Sequence, residues 1–227
     1  RLGGSIGRES VTAGSTGKKN FTRDRLMDVP AHFQEKELDA IHQLVRDHSF
    51  GMLMVNGDKV PEVSHLPLHL KTDSKQDRIL GHLALANPQA SWIENHKPAL
   101  AVFSGVDSYI SPRWYVDENQ VPTWNYQVVH AHGTLRRIDE PSELMRLLDQ
   151  LTKQHESDAE NPWSADWDNP KISRLLKAIV GFELTVEHWE GKSKLGQNRD
   201  FQDRESLKVH LQNSEDASRN KLAEVMK

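Results

Sequence analysis

The sequence lacks cysteine, a strong net charge and any long apolar run. Without cysteine, disulfides, thiolate nucleophiles, iron–sulfur clusters and thiolate zinc sites are excluded. The formal net charge of −4 gives no overall field that would attract nucleic acid or an anionic membrane. No run approaches the roughly 20 apolar residues of a membrane span, and no secretory signal is recognisable. We therefore expect a cytoplasmic protein with no membrane contact.

The composition of the 227 residues predicts a soluble globular domain between two polar ends. Residues 1–26 are rich in Gly, Ser, Thr, Lys and Arg and show no apolar periodicity. They predict a disordered N-terminal extension, with a basic nucleic-acid-binding arm as the alternative. Residues 27–212 are expected to form the domain, and residues 213–227 a polar, helical C-terminal tail.

The spacing of apolar residues indicates a mainly β fold with flanking helices. Three- and four-residue spacing predicts helices over 35–48, 143–155 and 171–180. About seven strands are predicted, at 50–55, 60–70, 79–85, 99–103, on both sides of the polar turn 117–120 with the second reaching 138, and at 182–188. Because helices and strands do not alternate regularly, we expect a small antiparallel barrel with helices packed outside it.

The run 60–70 shows the alternation of a half-buried strand. Val63, His65, Pro67 and His69 are expected on one face, and the intervening Ser64, Leu66, Leu68 and Leu70 on the other. Pro61 and Pro67 cannot donate a backbone hydrogen bond, so the strand is predicted to be irregular or to lie at an edge.

The stretch from Tyr109 to Tyr126 holds all three tyrosines and two of the six tryptophans. Rings at this density bury large apolar areas and need partners for their polar tips. Four polar residues lie between the rings and can supply hydrogen bonds, namely Ser111, Arg113, Thr123 and Asn125. A planar, polar-edged ligand such as a flavin would suit this mixture. The alternative is that the rings form a barrel core or a subunit interface.

The sequence gives little support for a metal site, a hydrolase site, a phosphate-binding loop or a helix-turn-helix. His130 and His132 would share one strand face, as would His65 and His69, but no third ligand is evident, so no metal site is predicted. The sequence has no nucleophile elbow and no phosphate-binding glycine loop. The helices over 143–155 and 171–180 are too far apart for a helix-turn-helix.

A basic segment follows the last predicted strand. Lys192, Lys194 and Arg199, with Gln197 and Asn198 between them, could hold a phosphate through charge-assisted hydrogen bonds. The alternative is a solvated surface loop.

A series of motifs, in order along 27–211, resembles the PaiB family of FMN-binding negative transcriptional regulators. The matching segments are Val29-Pro30-Ala31-His32-Phe33, His65-Leu66-Pro67-Leu68, Gly81-His82-Leu83-Ala84, Ala86-Asn87-Pro88-Gln89, Tyr109-Ile110-Ser111-Pro112-Arg113-Trp114-Tyr115, Val121-Pro122-Thr123-Trp124-Asn125-Tyr126, Val129-His130, Ile179-Val180-Gly181-Phe182-Glu183, Glu190-Gly191-Lys192-Ser193-Lys194-Leu195 and Gln197-Asn198-Arg199. The chain departs from the family pattern at Leu85, where Arg is frequent, and at Gly196, where Ser is usual.

The resemblance implies an FMN-binding split β-barrel and a homodimer that binds FMN between its subunits. It implies repression of sporulation and degradative-enzyme genes, without a standard DNA-binding module. On this basis the flavin ring is expected against Trp114 or Trp124. Hydrogen bonds to the flavin are assigned to Ser64, His65, His82 and Ser111, and the phosphate to Lys192, Lys194 and Arg199.

Three hypotheses follow from the resemblance. The first is a dimeric PaiB-like repressor that binds FMN and reaches DNA indirectly or through a regulatory protein partner. The second is a flavin-dependent oxidoreductase of a small substrate, in which the cofactor carries the redox chemistry. The third, favoured by Leu85, is a cofactor-free interaction protein on the same fold. Haem is the alternative cofactor and would give the histidines a role.

Overall fold

One antiparallel sheet of eight strands forms the centre of this computed structural model, which describes residues 27–226. The predicted extension 1–26 lies outside the described residues. The strands are β1 (Gln34–Glu35), β2 (Phe50–Asn56), β3 (Pro61–Pro67), β4 (His69–Lys71), β5 (Arg78–Ala84), β6 (Pro98–Ile110), β7 (Thr123–Ile138) and β8 (Ile179–Lys194).

The strands are ordered β3-β2-β6-β7-β8-β5-β4, and β1 pairs with β8. The two edge strands of this series, β3 and β4, are separated in sequence by Leu68 alone. The sheet must therefore curl until its edges meet, which makes it a barrel. Phe103, Phe182 and Leu184 fill its interior and are fully buried. The predicted mainly β barrel with flanking helices is confirmed.

The alternation predicted for 60–70 is confirmed, but the run forms two strands. Ser64 and Leu66 of β3 are buried, whereas Val63 and His65 are exposed. The strand is interrupted at Leu68, between the end of β3 and the start of β4. The Leu68 amide donates to the carbonyl oxygen of Ser49. The predicted edge position is also confirmed, since β2 is the one strand of residues 27–226 that pairs with β3.

The helices cover the barrel from outside. They are α1 (Leu38–Asp47), α2 (Pro141–Glu156), α3 (Pro170–Leu175), α4 (Phe201–Gln212) and α5 (Ala217–Val225), with 3-10 turns at Ala31–Phe33, Pro88–Trp92, Pro112–Trp114 and Leu176–Ala178. Leu144, Leu147 and Leu151 form the apolar stripe of α2 and pack on Leu80 and Ile138 of the sheet. The helix predicted over 143–155 is thus confirmed.

The C-terminal helices form a second apolar cluster with the barrel end. Leu207 and Leu211 of α4 and Leu222 of α5 are fully buried there, against Ile110 and Tyr115. The segment 213–227, predicted from its composition as a polar tail, therefore contains a packed helix. Leu222, Ala223 and Met226 are buried, and these few side chains are enough to dock a short helix, although Ala217 is exposed.

Two predicted strand ends are wrong, for related reasons. The strand predicted over 99–103 continues to Ile110, because a register shift between Ser104 and Asp107 absorbs the extra residue without ending the pairing. The last strand does not stop at His188 but reaches Lys194. Gly191 permits this, since a Cβ there would lie 2.9 Å from the Cβ of Glu35 on β1.

Gly133 allows the closest approach between two central strands. A Cβ at this position would lie 1.9 Å from the carbonyl oxygen of Thr185 on β8. The register of β7 and β8 shifts between His132 and Gly133, which forms a β-bulge at this close contact.

We expect Gly133→Ala to lower the free energy of unfolding by about 3 kcal/mol, because backbone rather than a flexible side chain must move. Urea denaturation measures the change. The control is Thr134→Ala, which removes one hydrogen bond to Glu187 and should cost about 1 kcal/mol. Equal losses in the two variants would contradict the close packing at Gly133.

Candidate functional site

Three cations cluster at the C-terminal end of β8. Lys192 and Lys194 lie on the strand itself, and Arg199 follows in the next turn. Burial, and then the charges of Lys192 and Arg199, lower the pKa of the Lys194 ammonium below its usual value. The three positive charges therefore repel one another across a short distance. A bound anion would relieve this repulsion.

The two lysines are held by oxygen atoms and aromatic rings. The Lys192 ammonium donates to the carbonyl oxygen of Asp28 at 2.8 Å and lies 5.4 Å from the ring centre of Tyr126. The Lys194 ammonium donates to the hydroxyl of Thr123. No carboxylate forms a salt bridge with either lysine among residues 27–226. The charges of both lysines thus remain available to an anion.

Arg199 approaches the same region from the loop after β8. Its guanidinium donates to the side-chain carbonyl of Gln120 and lies 5.1 Å from the ring centre of Tyr115. The polar turn that carries Gln120 is fixed by Asp203, whose carboxylate accepts from the amides of Val116 and Asp117. The polar turn in the middle of the aromatic stretch is thereby held by α4 and by the loop that precedes this helix.

Trp124 forms an exposed aromatic surface beside the cations. Its ring is 54% exposed and meets the ring of Tyr109 edge-on, with centroids 6.1 Å apart. The two residues face each other across β6 and β7. A shallow cleft of about 370 Å³ lies here, lined by Trp124, Tyr126, Gln127, Val128, Ser104, Gly105 and Asp107. The aromatic stretch thus contributes a surface as well as core residues.

Ser111 and Trp114 have structural partners of their own. The Ser111 hydroxyl is buried and accepts from the backbone and side chain of Arg113, capping the 3-10 turn. The Trp114 ring stacks on His210 at 6.3 Å and has the Arg219 guanidinium 5.2 Å from its centre. Of the two predicted tryptophans, Trp124 is therefore the one with an open face.

Ser64, His65 and His82 lie in another part of the barrel. The buried Ser64 hydroxyl accepts from the Asn87 side chain at 2.9 Å, while His65 is exposed. Burial lowers the pKa of His82, which keeps its imidazole neutral near pH 7. Its Nδ1 atom is buried without a hydrogen-bond partner in the described part of the chain. Such an atom is one that a bound ligand could satisfy.

The two groups of predicted residues do not meet within one chain. His82 is opposite Gly181 on β8, whereas Lys192 lies near the other end of the same strand. The intervening strand spans about 36 Å when extended. The structure brings Lys192, Lys194 and Arg199 together, and Lys194 reaches the hydroxyl of Thr123, the residue next to Trp124. Ser111 lies at the 3-10 turn Pro112–Trp114. It places Ser64, His65 and His82 apart from them.

Two polar features were predicted only in part, since the burial of Asn125 and the third member of a histidine cluster were missed. Asn125 is 1% exposed, and its Nδ2 atom has no hydrogen-bond partner within residues 27–226. Strand alternation from the exposed Trp124 could have identified it as an inward-facing polar residue. The second feature is a cluster of His130, His132 and Glu190. Its third member, Glu190, is far from the histidines in sequence, and only the pairing of β7 with β8 shows that it lies beside them.

Comparison with sequence families identifies one matching domain. A family described as "Putative FMN-binding domain" matches residues 27–188. Bacillus subtilis protease synthase and sporulation protein PAI 2 is 36% identical over 201 residues, which cover 88% of this chain and 96% of that protein. An uncharacterized protein of Saccharomyces cerevisiae is 31% identical over 153 residues, which cover 57% of this chain and 90% of the yeast protein.

Solved structures with the same fold are distant in sequence. A FAD and heme binding protein from Mycobacterium smegmatis superposes with a TM-score of 0.55 at 15% identity, over 71% of this chain and 73% of that one. A conserved hypothetical protein from Mycobacterium tuberculosis gives 0.51 at 15% identity, over 75% and 93%. At these identities the likeness establishes the fold alone.

Replacing Lys194 tests whether its burial and the repulsion among the three cations destabilise the fold. Because the folded-state pKa of Lys194 lies below its unfolded value, the ammonium destabilises the fold at neutral pH, and this penalty disappears as the pH rises toward 10.5. We expect Lys194→Gln to raise the melting temperature of flavin-free protein at pH 7 by up to about 2 °C, with solvent screening limiting the gain.

Scanning calorimetry at low and high salt measures this effect. Lys59→Gln, in the exposed turn after β2, is the control and should change nothing. A Lys194→Gln protein that melts well below the wild type, at both salt concentrations, would show that Lys194 is a structural residue.

Proposed function

This chain belongs to the FMN-binding domain family, and from that premise we propose that it is a dimeric, PaiB-like FMN-binding transcriptional regulator acting in the cytoplasm. The proposal rests on the cation cluster at the end of β8. Its relative from Bacillus subtilis is named for protease synthesis and sporulation, and 36% identity over nearly the whole chain supports a related regulatory role.

The cation cluster has the charge that the flavin phosphate requires. FMN carries a phosphate dianion, and Lys192, Lys194 and Arg199 supply three positive charges that no described salt bridge neutralises. Lysine and arginine form strong charge-assisted hydrogen bonds with phosphate. Burial and then the charges of Lys192 and Arg199 lower the pKa of Lys194, and a bound phosphate would offset the part that comes from charge repulsion. The residues present therefore fit the cofactor.

The exposed aromatic surface beside the cations fits the flavin ring. Trp124 offers an open face, and Asp107 lines the same cleft with a carboxylate that can accept from a ring N–H. The flavin, when bound, would supply one- and two-electron redox chemistry. The role of this chain's residues is to bind the phosphate, hold the ring and limit its contact with water.

A second copy of the chain would complete the site. The cleft is shallow, with Trp124 54% and Tyr109 41% exposed, so a ring lying there is covered on one side only. Ser64, His65 and the unpartnered Nδ1 of His82 lie elsewhere on the barrel. A homodimer that places this second group over the partner's cation cluster would give all the predicted residues a role.

We propose that regulation reaches DNA through another protein. Helices α4 and α5 are adjacent and joined by residues 213–216, an arrangement the sequence did not predict. Helix α5 exposes Lys221 together with Ser218 and Glu224, and its Arg219 pairs with Asp216. The overall charge of −4 also disfavours direct binding.

Among residues 27–226, the structure contains no helix with the length and apolar character of a membrane span.

The open cleft also favours a second candidate, a flavin-dependent oxidoreductase. A ring bound against Trp124 would leave room for a small planar substrate or a reduced nicotinamide. Oxidation of NADH by the flavin-loaded protein, coupled to reduction of an added acceptor, would favour this candidate over a purely regulatory role.

Lys194→Gln should weaken FMN binding by about 10- to 100-fold, the effect of losing one hydrogen bond to a charged group. Quenching of flavin fluorescence during titration measures the affinity. Lys59→Gln, which removes a charge far along the chain from the cluster, is the control and should bind like the wild type. Equal affinities in all three proteins would contradict the assignment of the phosphate site.

The purified protein should elute as a dimer with the absorption bands of a flavin, one per chain. Size-exclusion chromatography with a diode-array detector records both properties, before and after FMN is added. A colourless protein that cannot be loaded would contradict the first two hypotheses and leave the cofactor-free interaction protein. A Soret band would point to haem instead.

A further inference from the structure

Three side chains on the outer face of β7 and β8 place their ligand atoms together. One atom from each of His130, His132 and Glu190 lies within 4.8 Å of the others. The imidazole Nε2 of His132 is 2.9 Å from a carboxylate oxygen of Glu190. The rings of His130 and His132 have centroids 5.9 Å apart. None of these residues belongs to the flavin site described above.

Strand register creates this cluster. His130 lies opposite Glu190, and His132 lies opposite His188. Residues two apart on a strand share a face, so the histidines of β7 and the carboxylate of β8 point in the same direction. The bulge between His132 and Gly133 follows immediately. Bulges often occur beside functional sites, where they redirect side chains.

We propose that His130, His132 and Glu190 bind a divalent transition-metal ion, Zn²⁺ by preference. Two imidazoles and one carboxylate are the protein ligands of one common class of open zinc site. In tetrahedral coordination with bonds of about 2.0–2.1 Å, ligand atoms lie roughly 3.3 Å apart. Separations of up to 4.8 Å reach that value through small side-chain rotations.

The carboxylate is already oriented for this role. Glu190 is only 7% exposed, and both of its oxygen atoms lie 3.1 Å from the backbone amide of Met27. This contact can be kept by one oxygen while the other binds the metal. Such support from outside the ligand set is typical of metal sites in proteins. The His130 ring has no hydrogen-bond partner among residues 27–226, so its nitrogen is available.

The metal would keep an open coordination position. His132 borders a cleft of about 290 Å³ whose walls include Met54, Pro61 and Leu100. His188 is half exposed, and its Nε2 lies 4.0 Å from Glu190. Since His188 does not join the cluster of mutually close ligand atoms, we assign three protein ligands and leave the fourth position to water or a small ligand from the cleft.

The site is separate from the cation cluster although both lie on the same strand face. Lys192, the nearest member of that cluster, is two residues beyond Glu190, about 7 Å along an extended strand, and Lys194 is about 13 Å beyond it. The three proposed ligands are not members of the cation cluster, so metal binding needs neither the phosphate nor the flavin ring. Failure of one site would leave the other in place, and the two can be tested independently.

The test uses Co²⁺ as a spectroscopic substitute for Zn²⁺. Full-length protein treated with a chelator is titrated with Co²⁺, and difference spectra remove any flavin absorption. We expect one Co²⁺ per chain, with the intense visible bands of four-coordinate cobalt, and loss of those bands on adding Zn²⁺. Absence of these bands, or only the faint absorption of six-coordinate cobalt, would overturn the proposal.

Variants identify the ligands. Glu190→Gln and His130→Ala should each weaken Co²⁺ binding by at least about 100-fold. Because Glu190 is buried, His130→Ala keeps the test valid if Glu190→Gln does not fold, as judged by circular dichroism. His155→Ala, on the exposed face of α2, is the matched control and should bind like the wild type. Wild-type affinity in His130→Ala would overturn the assignment.

His188→Ala tests the open position. With three protein ligands, this variant should retain the wild-type affinity and spectrum. If it abolishes the four-coordinate bands, the site is closed by a third histidine as the fourth protein ligand, and the proposal of an open metal site is wrong.

Discussion

The pairing of β7 with β8 is the constraint on which the rest of the structure depends. The two strands stay in register from Tyr126 and Lys194 to Ile138 and Gly181, with one shift at Gly133. Their inner faces fill the barrel with Val129, Ala131 and Leu184. Because side chains alternate, the same register gathers the lysines and then the histidine–carboxylate cluster along the outer face. Core packing and both proposed sites therefore share one cause.

The two outer sites show how a strand can hold groups that do not favour folding. Lys192 and Lys194 repel each other and Arg199, and burial adds to that cost at Lys194. Neighbouring rings and carbonyl oxygens reduce the cost without neutralising the charge. The apolar core behind the strands stabilises the fold enough to maintain this arrangement. Charge left uncompensated in this way is expected where a ligand supplies the missing partner.

Local patterns in the sequence predicted local structure well. Alternation predicted the buried face of 60–70, and three- and four-residue spacing predicted α1 and α2. Long-range pairing could not be predicted, because no local signal sets which residue of β8 faces His130 or where Gly191 allows β1 to dock. Hence the third ligand, Glu190, was missed, and the lysines were predicted beyond the end of the last strand instead of on it. The motif resemblance named Lys194 and Trp124, but only the fold shows that Lys194 reaches Thr123, the residue next to Trp124.

Comparing FMN with riboflavin tests the central claim most directly, since the two differ only in the phosphate. If the cations at the end of β8 hold that phosphate through at least two charge-assisted hydrogen bonds, FMN should bind at least about 100-fold more tightly than riboflavin. The advantage should also shrink as salt is added. Equal affinity for the two flavins would contradict the account, because the cation cluster would then have no part in binding the cofactor.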